Sequence, residues 1–244
     1  MSSIEDISLR KAENTAMASV TGWSFAIMFA LGIFAEFFVS VQLINWDDAS
    51  LTMSTIKASQ RLFESGIFAF ILIIFLDVVI AVTFYVLFNT INKPIALLMA
   101  SLRVVYVAIK GASIVGLILA NDIYTTVGNV AGEQTETYAT QAMLFLKLHH
   151  YGFGVALIFF GIHLIFVAIL LLKFSGIPKV ITWLVLVAGI GYAVNSLVSF
   201  FAVDYILLRN ITIGIFIIPM TFAELTLGLW LWIKRKKLPL SLNK

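Results

Sequence analysis

Predominantly apolar runs of twenty or more residues recur six times in this chain of 244 residues, at about Val20–Val41, Leu62–Phe88, Ile95–Ala120, Met143–Leu172, Val180–Val203 and Ile211–Ile233. A bilayer core of about 30 Å takes about 20 such residues per helix. A soluble core helix would show polar residues at every third or fourth position. A membrane barrel would alternate strictly over segments of about ten residues. The runs do neither. They specify an all-α, polytopic integral membrane protein, a bundle of six transmembrane helices. Composition agrees, with 61% hydrophobic and 12% charged residues against about 45–50% and 25% in soluble domains.

The runs divide the chain into an N-terminal tail (1–19), a transmembrane domain (20–233) and a basic C-terminal tail (234–244). The tail to residue 19 is polar and mixed in charge and reads as a short amphipathic helix on the membrane surface. The first run is too long for a signal-peptide core and lacks a cleavage pattern, so it stays as a span. Asn89–Pro94 reads as a tight turn with Pro94 at the first helical position. Ser175–Pro178 reads as a glycine stop and a proline start. Trp46-Asp47-Asp48-Ala49-Ser50 reads as a cap on a short interfacial helix. Residues 121–141 read as the longest loop.

Six spans put both termini on one side, and Lys and Arg choose which. With the N-terminus inside, the inner segments hold Arg10, Lys11, Lys93, Lys173, Lys179, Lys234, Arg235, Lys236, Lys237 and Lys244; the outer loops hold Lys57, Arg61 and Arg209. The expectation is N-in and C-in, in a bacterial cytoplasmic membrane.

Ionisable groups in hydrocarbon are costly, so their depths matter. Counted from each span's inner end at 1.5 Å per residue, Asp77, Arg103, His163 and Glu224 all fall near mid-bilayer, one on each of four helices. A second tier lies nearer the outer surface: Glu36, Lys110 and Asn195, with Arg61, Glu64, Lys147, His149 and His150 at the interface. Tyr192, Asn195, Ser196 and Ser199 make a polar stripe at helical spacing. The expected site is a polar cleft opening outward, lined by Glu36, Asp77, Arg103, Lys110, His149, His163, Asn195 and Glu224. Arg103 is either an anion anchor or a structural counter-ion. His163 with Asp77 or Glu224 is the titratable pair. The competing reading is that acids and Arg neutralise one another and fix helix register, with His163 a packing residue.

All three histidines lie on one helix, which disfavours haem held from both sides. His149 and His163 are about 21 Å apart along it, so they cannot share one ion. No cysteine is present, which removes disulfides and thiolate metal sites. No metal is assigned and no cofactor is identified. The expected function is binding or transport of a small or lipid-like ligand. The alternatives are a metal-dependent intramembrane hydrolase and a structural or regulatory subunit. The lipid bilayer is the expected partner; nothing points to nucleic acid. Small-residue stripes (Gly22, Ala26, Ala30; Ala108, Ala112, Gly116, Ala120) read first as packing within the chain and second as a homo-oligomer face.

Across nearly the whole chain the residues resemble a bacterial family of six-helix membrane proteins, domain of unknown function (DUF) 4386. The resemblance runs through Gly32–Phe38, Leu76-Asp77, Asn92 to Arg103, His149-His150-Tyr151-Gly152, Phe160-Gly161-Ile162-His163, Gly189–Tyr192, and Glu224 before Leu229-Trp230-Leu231. Members of that family often carry Asp where Asn195 stands, so the fifth span here has lost a charge. The resemblance implies an integral membrane protein and supplies no activity.

Overall fold

A computed structural model describes residues 2–126, 133–174, 176–202 and 205–238, with the side chains of 2–6 and 133 left aside. The described residues form helices and connecting turns, with no strand among them. In chain order these are α1 (Ser2–Ile33), a π-helical segment (Phe34–Ser40), α2 (Val41–Leu43), α3 (Ala49–Ala58), α4 (Gln60–Phe88), α5 (Lys93–Thr126), α6 (Glu133–Lys173), α7 (Lys179–Phe201), α8 (Ile206–Lys234) and a 3₁₀ turn (Arg235–Lys237). Six of the helical stretches are long and apolar enough to cross a membrane. The architecture is therefore the six-helix, multi-pass one expected. Large apolar side chains such as Phe37, Phe75, Val82 and Leu207 point outward, as lipid-facing residues do.

The polar N-terminal residues do not form a separate surface helix. From Ser2 they run into the first span as one helix, because nothing between them and Val20 breaks it. The first span is not uniform either. At Phe34–Ser40 it loosens to π geometry, and the Ser40 hydroxyl donates to the Ala35 carbonyl at 2.9 Å. Such segments are rare and frequently mark functional positions; this one carries Glu36.

Local capping follows the residue types. The Asp48 carboxylate accepts from the Leu51 N–H at 2.8 Å and starts α3, the interfacial helix expected there. Asn92 accepts from the Ile95 N–H at 3.1 Å and caps α5, which places Pro94 second in that helix, not first. Gly176 has φ 104°, where only glycine sits without strain, and Pro178 leads into α7. Ser175, expected in that turn, lies outside the described residues, as do Val203 at the end of the fifth run and Lys244 in the inner charge count. The expected loop 121–141 is mostly helix: α5 continues to Thr126 and α6 begins at Glu133, because Thr, Gln and Glu are polar yet permit helix. Residues 127–132 of that stretch are outside the description. α6 spans 41 residues, or about 60 Å at 1.5 Å per residue.

The chain divides into two compact units. Unit 1 holds Met1–Ile27, Leu76–Val107 and Val155–Lys244; unit 2 holds Met28–Phe75 and Ala108–Gly154. In unit 1, helices approach closely where side chains vanish. A Cβ on Gly161 of α6 would lie 2.5 Å from the Gly189 carbonyl oxygen of α7, and one on Gly189 would lie 2.7 Å from the Gly161 carbonyl. Gly22 of α1 meets Gly228 and Trp232 of α8 just as tightly. In unit 2, Gly116 of α5 abuts the Phe145 carbonyl of α6, and Gly66 of α4 abuts Val39. The core of unit 2 is an apolar cluster including Phe63, Phe70, Ile114, Leu117, Tyr124 and Leu146. The small-residue stripes are thus split: Gly22, Gly116 and Ala120 are buried in packing, while Ala30, Ala108 and Ala112 are exposed.

Candidate functional site: a buried arginine held by two acids

Arg103 of α5 is fully buried in unit 1. Its Nη2 and Nε donate to Asp77 Oδ1 of α4 at 2.6 and 3.1 Å. Its Nη1 donates to Glu224 Oε1 of α8 at 2.7 Å and lies 3.1 Å from His163 Nε2 of α6. A guanidinium has five N–H donors, and four of them are engaged here. The guanidinium carbon also lies 5.5 Å from the Phe25 ring centre and 5.4 Å from that of Phe160, within cation–π range.

The histidine's tautomer follows from its partners. His163 Nδ1 is 2.8 Å from the Met99 carbonyl oxygen, which can only accept, so Nδ1 carries the hydrogen. Nε2 then offers its lone pair to the Arg103 N–H. His163 is consequently a neutral acceptor for Arg103, stacked beside Phe84 and Phe160, and does not pair directly with either acid.

The two carboxylates differ. Asp77 is fully buried, and its Oδ2 has no hydrogen-bond partner among the described residues. The Glu224 side chain is 19% exposed. Nearby, Tyr192 of α7 donates to the Met220 carbonyl at 2.8 Å, one residue beyond the Pro219 that interrupts the α8 ladder. Asn195 sits half-buried on the same helix, and no described hydrogen bond joins it to the arginine cluster.

Unit 2 has its own polar group. Lys110 of α5 is buried, with Nζ 4.8 Å from the Phe153 ring centre. Glu36, half-buried in the π-helical segment, belongs to the same unit. Ser113 donates its single hydroxyl hydrogen to the Lys110 carbonyl at 2.7 Å. Its oxygen, 3.1 Å from His149 Nδ1, is therefore the acceptor of an Nδ1–H. His149 also lies against Phe70 and Phe153. His150 points away, is exposed, and packs its ring 4.9 Å from that of Trp46.

A model of a family described as domain of unknown function (DUF4386) matches residues 20–234. The chain belongs to this family. It is 31% identical over 175 residues, 71% of its own length and 83% of the relative's, to an uncharacterized protein of the archaeon Archaeoglobus fulgidus. No solved structure matches.

Of the eight residues expected to line the site of this DUF4386 protein, Asp77, Arg103, His163 and Glu224 come together in unit 1, and Glu36, Lys110 and His149 belong to unit 2. Among the described residues, no three His, Asp or Glu side chains gather closely enough to hold a metal ion. Ser113, the Met99 carbonyl and the flanking Phe25 and Phe160 were not among the residues expected at the site. Ser113 carries a signal in its spacing, one turn from Lys110; a backbone acceptor carries none.

Proposed function

We propose that this chain is a non-enzymatic membrane protein that binds or carries a small cationic or hydrogen-bond-donating solute at the acid side of the Arg103 cluster. The observation that carries this reading is Asp77 Oδ2, a buried carboxylate oxygen with no donor among the described residues. Buried polar atoms are nearly always satisfied, so an exception beside a partly exposed acid calls for an explanation, and a bound ion or donor supplies one. One guanidinium faces two carboxylates here, and that excess of acid over base suits a cationic solute at the Asp77 side. Glu224, partly exposed, is the member through which a solute would arrive. Arg103 acts as counter-ion; with four donors engaged it is poorly placed to anchor an anion.

A second reading has its own support. The cluster ties α4, α5, α6 and α8 together, which suits a structural lock. Ligand-dependent stability of detergent-purified protein separates the two. A saturable rise in unfolding free energy with sodium, potassium, ammonium or a small alkylamine supports binding, and should reach about 2.7 kcal/mol at a hundredfold excess over Kd. Glu224→Gln should abolish the rise while the helical circular dichroism stays intact. No response to any cation, or an equal response in Glu224→Gln, leaves the structural lock.

The Lys and Arg bias further supports cytoplasmic termini. A reporter active only outside the cytoplasm should be silent when fused to the C-terminus; activity there overturns this orientation.

A further inference from the structure

We propose that the paired ends of α1 and α8 form a binding surface for anionic phospholipid headgroups. The helices run side by side in unit 1. Gly22 and Phe25 pack against Gly228, the Trp23 and Trp232 rings meet edge-on at 5.3 Å, and the Thr15 hydroxyl reaches the Arg235 carbonyl at 3.3 Å. One turn beyond Thr15 on α1 stand Arg10 and Lys11. On the α8 side stand Lys234, Arg235, Lys236 and Lys237. Six cationic residues therefore share one end of the helix pair, and all but Arg235 are exposed.

Three details distinguish this patch from a solvated charge run. Arg235 is held in place: its Nη1 donates to the Trp232 carbonyl at 2.6 Å and its guanidinium carbon lies 5.3 Å from the Trp232 ring centre. Trp23 and Trp232 provide the amphipathic rings that sit at headgroup level. A polar pocket of about 260 Å³ adjoins the patch, lined by Arg10, Asn14, Asn89 and Thr90, with Val86 and the carboxylate of Glu13. Arg10, Asn14, Asn89 and Thr90 all carry donors for phosphate oxygens. Basic clusters directly beside a transmembrane helix attract anionic lipid surfaces, and this one has a donor-lined recess at its edge.

The test is native mass spectrometry of the full chain in detergent, titrated with phosphatidylglycerol, with phosphatidylcholine, and with inorganic phosphate. Phosphatidylglycerol should bind more tightly than phosphatidylcholine, with an advantage that shrinks as salt rises. Each removed charge should lower affinity about five-fold, so Lys236→Gln/Lys237→Gln and Arg10→Gln/Lys11→Gln should each lose about 25-fold. A charge-matched control away from the patch, Lys57→Gln/Arg61→Gln, should lose none. These are exposed or near-surface positions, and unchanged thermal unfolding of each variant checks that the fold survives. Equal binding of the two lipids, an equal loss in the control, or displacement of the lipid by equimolar phosphate would overturn the proposal.

Discussion

Replacing Arg103 with Met is the sharpest perturbation of this molecule. Met matches the arginine stem in length and removes the guanidinium, and with it the four hydrogen bonds and two ion pairs that the side chain makes. Asp77 suffers most. Among the described residues both its donors come from Arg103 and its other oxygen has none, so the variant leaves a fully buried carboxylate with no described partner. Breaking a buried pair from one side costs about 3–5 kcal/mol. Glu224 is 19% exposed, so water softens its loss. Glu224→Gln keeps the Asp77–Arg103 pair and should cost about 1.5–3 kcal/mol, the range for one charged hydrogen bond. The triple variant Asp77→Leu/Arg103→Met/Glu224→Met removes all three charges together. It should recover most of the loss, since a buried pair replaced by apolar groups is often neutral or stabilising. Unfolding free energies in mixed detergent–SDS micelles measure all three. An Arg103→Met variant within 1 kcal/mol of wild type, or a triple variant as unstable as the single one, would refute the argument that desolvated charges dominate here.

Other outcomes follow from particular contacts. Gly161→Ala should cost about 1–3 kcal/mol by overpacking, because the new methyl would meet the Gly189 carbonyl; Gly32→Ala, with nothing within 4 Å, should be neutral or slightly stabilising, and the same micelle titration compares them. Ser113→Ala should cost about 1–3 kcal/mol and shift the His149 ring resonances in solution NMR, since it deprives the Nδ1–H of its acceptor. Gly176→Ala should cost about 1 kcal/mol through its positive φ, read by thermal unfolding.

A shared level among four residues was legible along the chain, and rotation was not. Counting residues from each span's end brought Asp77, Arg103, His163 and Glu224 to one level, and unit 1 gathers those four. Which atoms meet depends on how each helix turns about its axis, and helical spacing within one helix says nothing of its neighbours. The sequence therefore offered His163 an acid partner, whereas the structure gives it the Met99 carbonyl and a guanidinium. Asn195 shows the same limit: its stripe was visible, but only Tyr192 is seen to bond from it to α8. The π segment was invisible for another reason. Phe34–Ser40 has ordinary helix-forming residues, and the wider turn shows only in backbone geometry. Helix ends were misread where polar residues such as those near 121–126 and 133–141 tolerate helix as readily as loop.

Synthesis runs from the N-terminus, and this gives the Arg103 cluster an order of assembly. Asp77 precedes Arg103 by only 26 residues, across the short turn between α4 and α5. The two helices can thus enter the bilayer as a hairpin whose fixed cation already has its first counter-charge, easing an insertion that costs about 2.5–3.5 kcal/mol per charged residue at a helix centre. His163 emerges 60 residues after Arg103 and Glu224 emerges 121 after it. Of the four helices that build the cluster, α8 emerges after the other three, so Arg103 meets its first carboxylate early and its second only after 121 further residues.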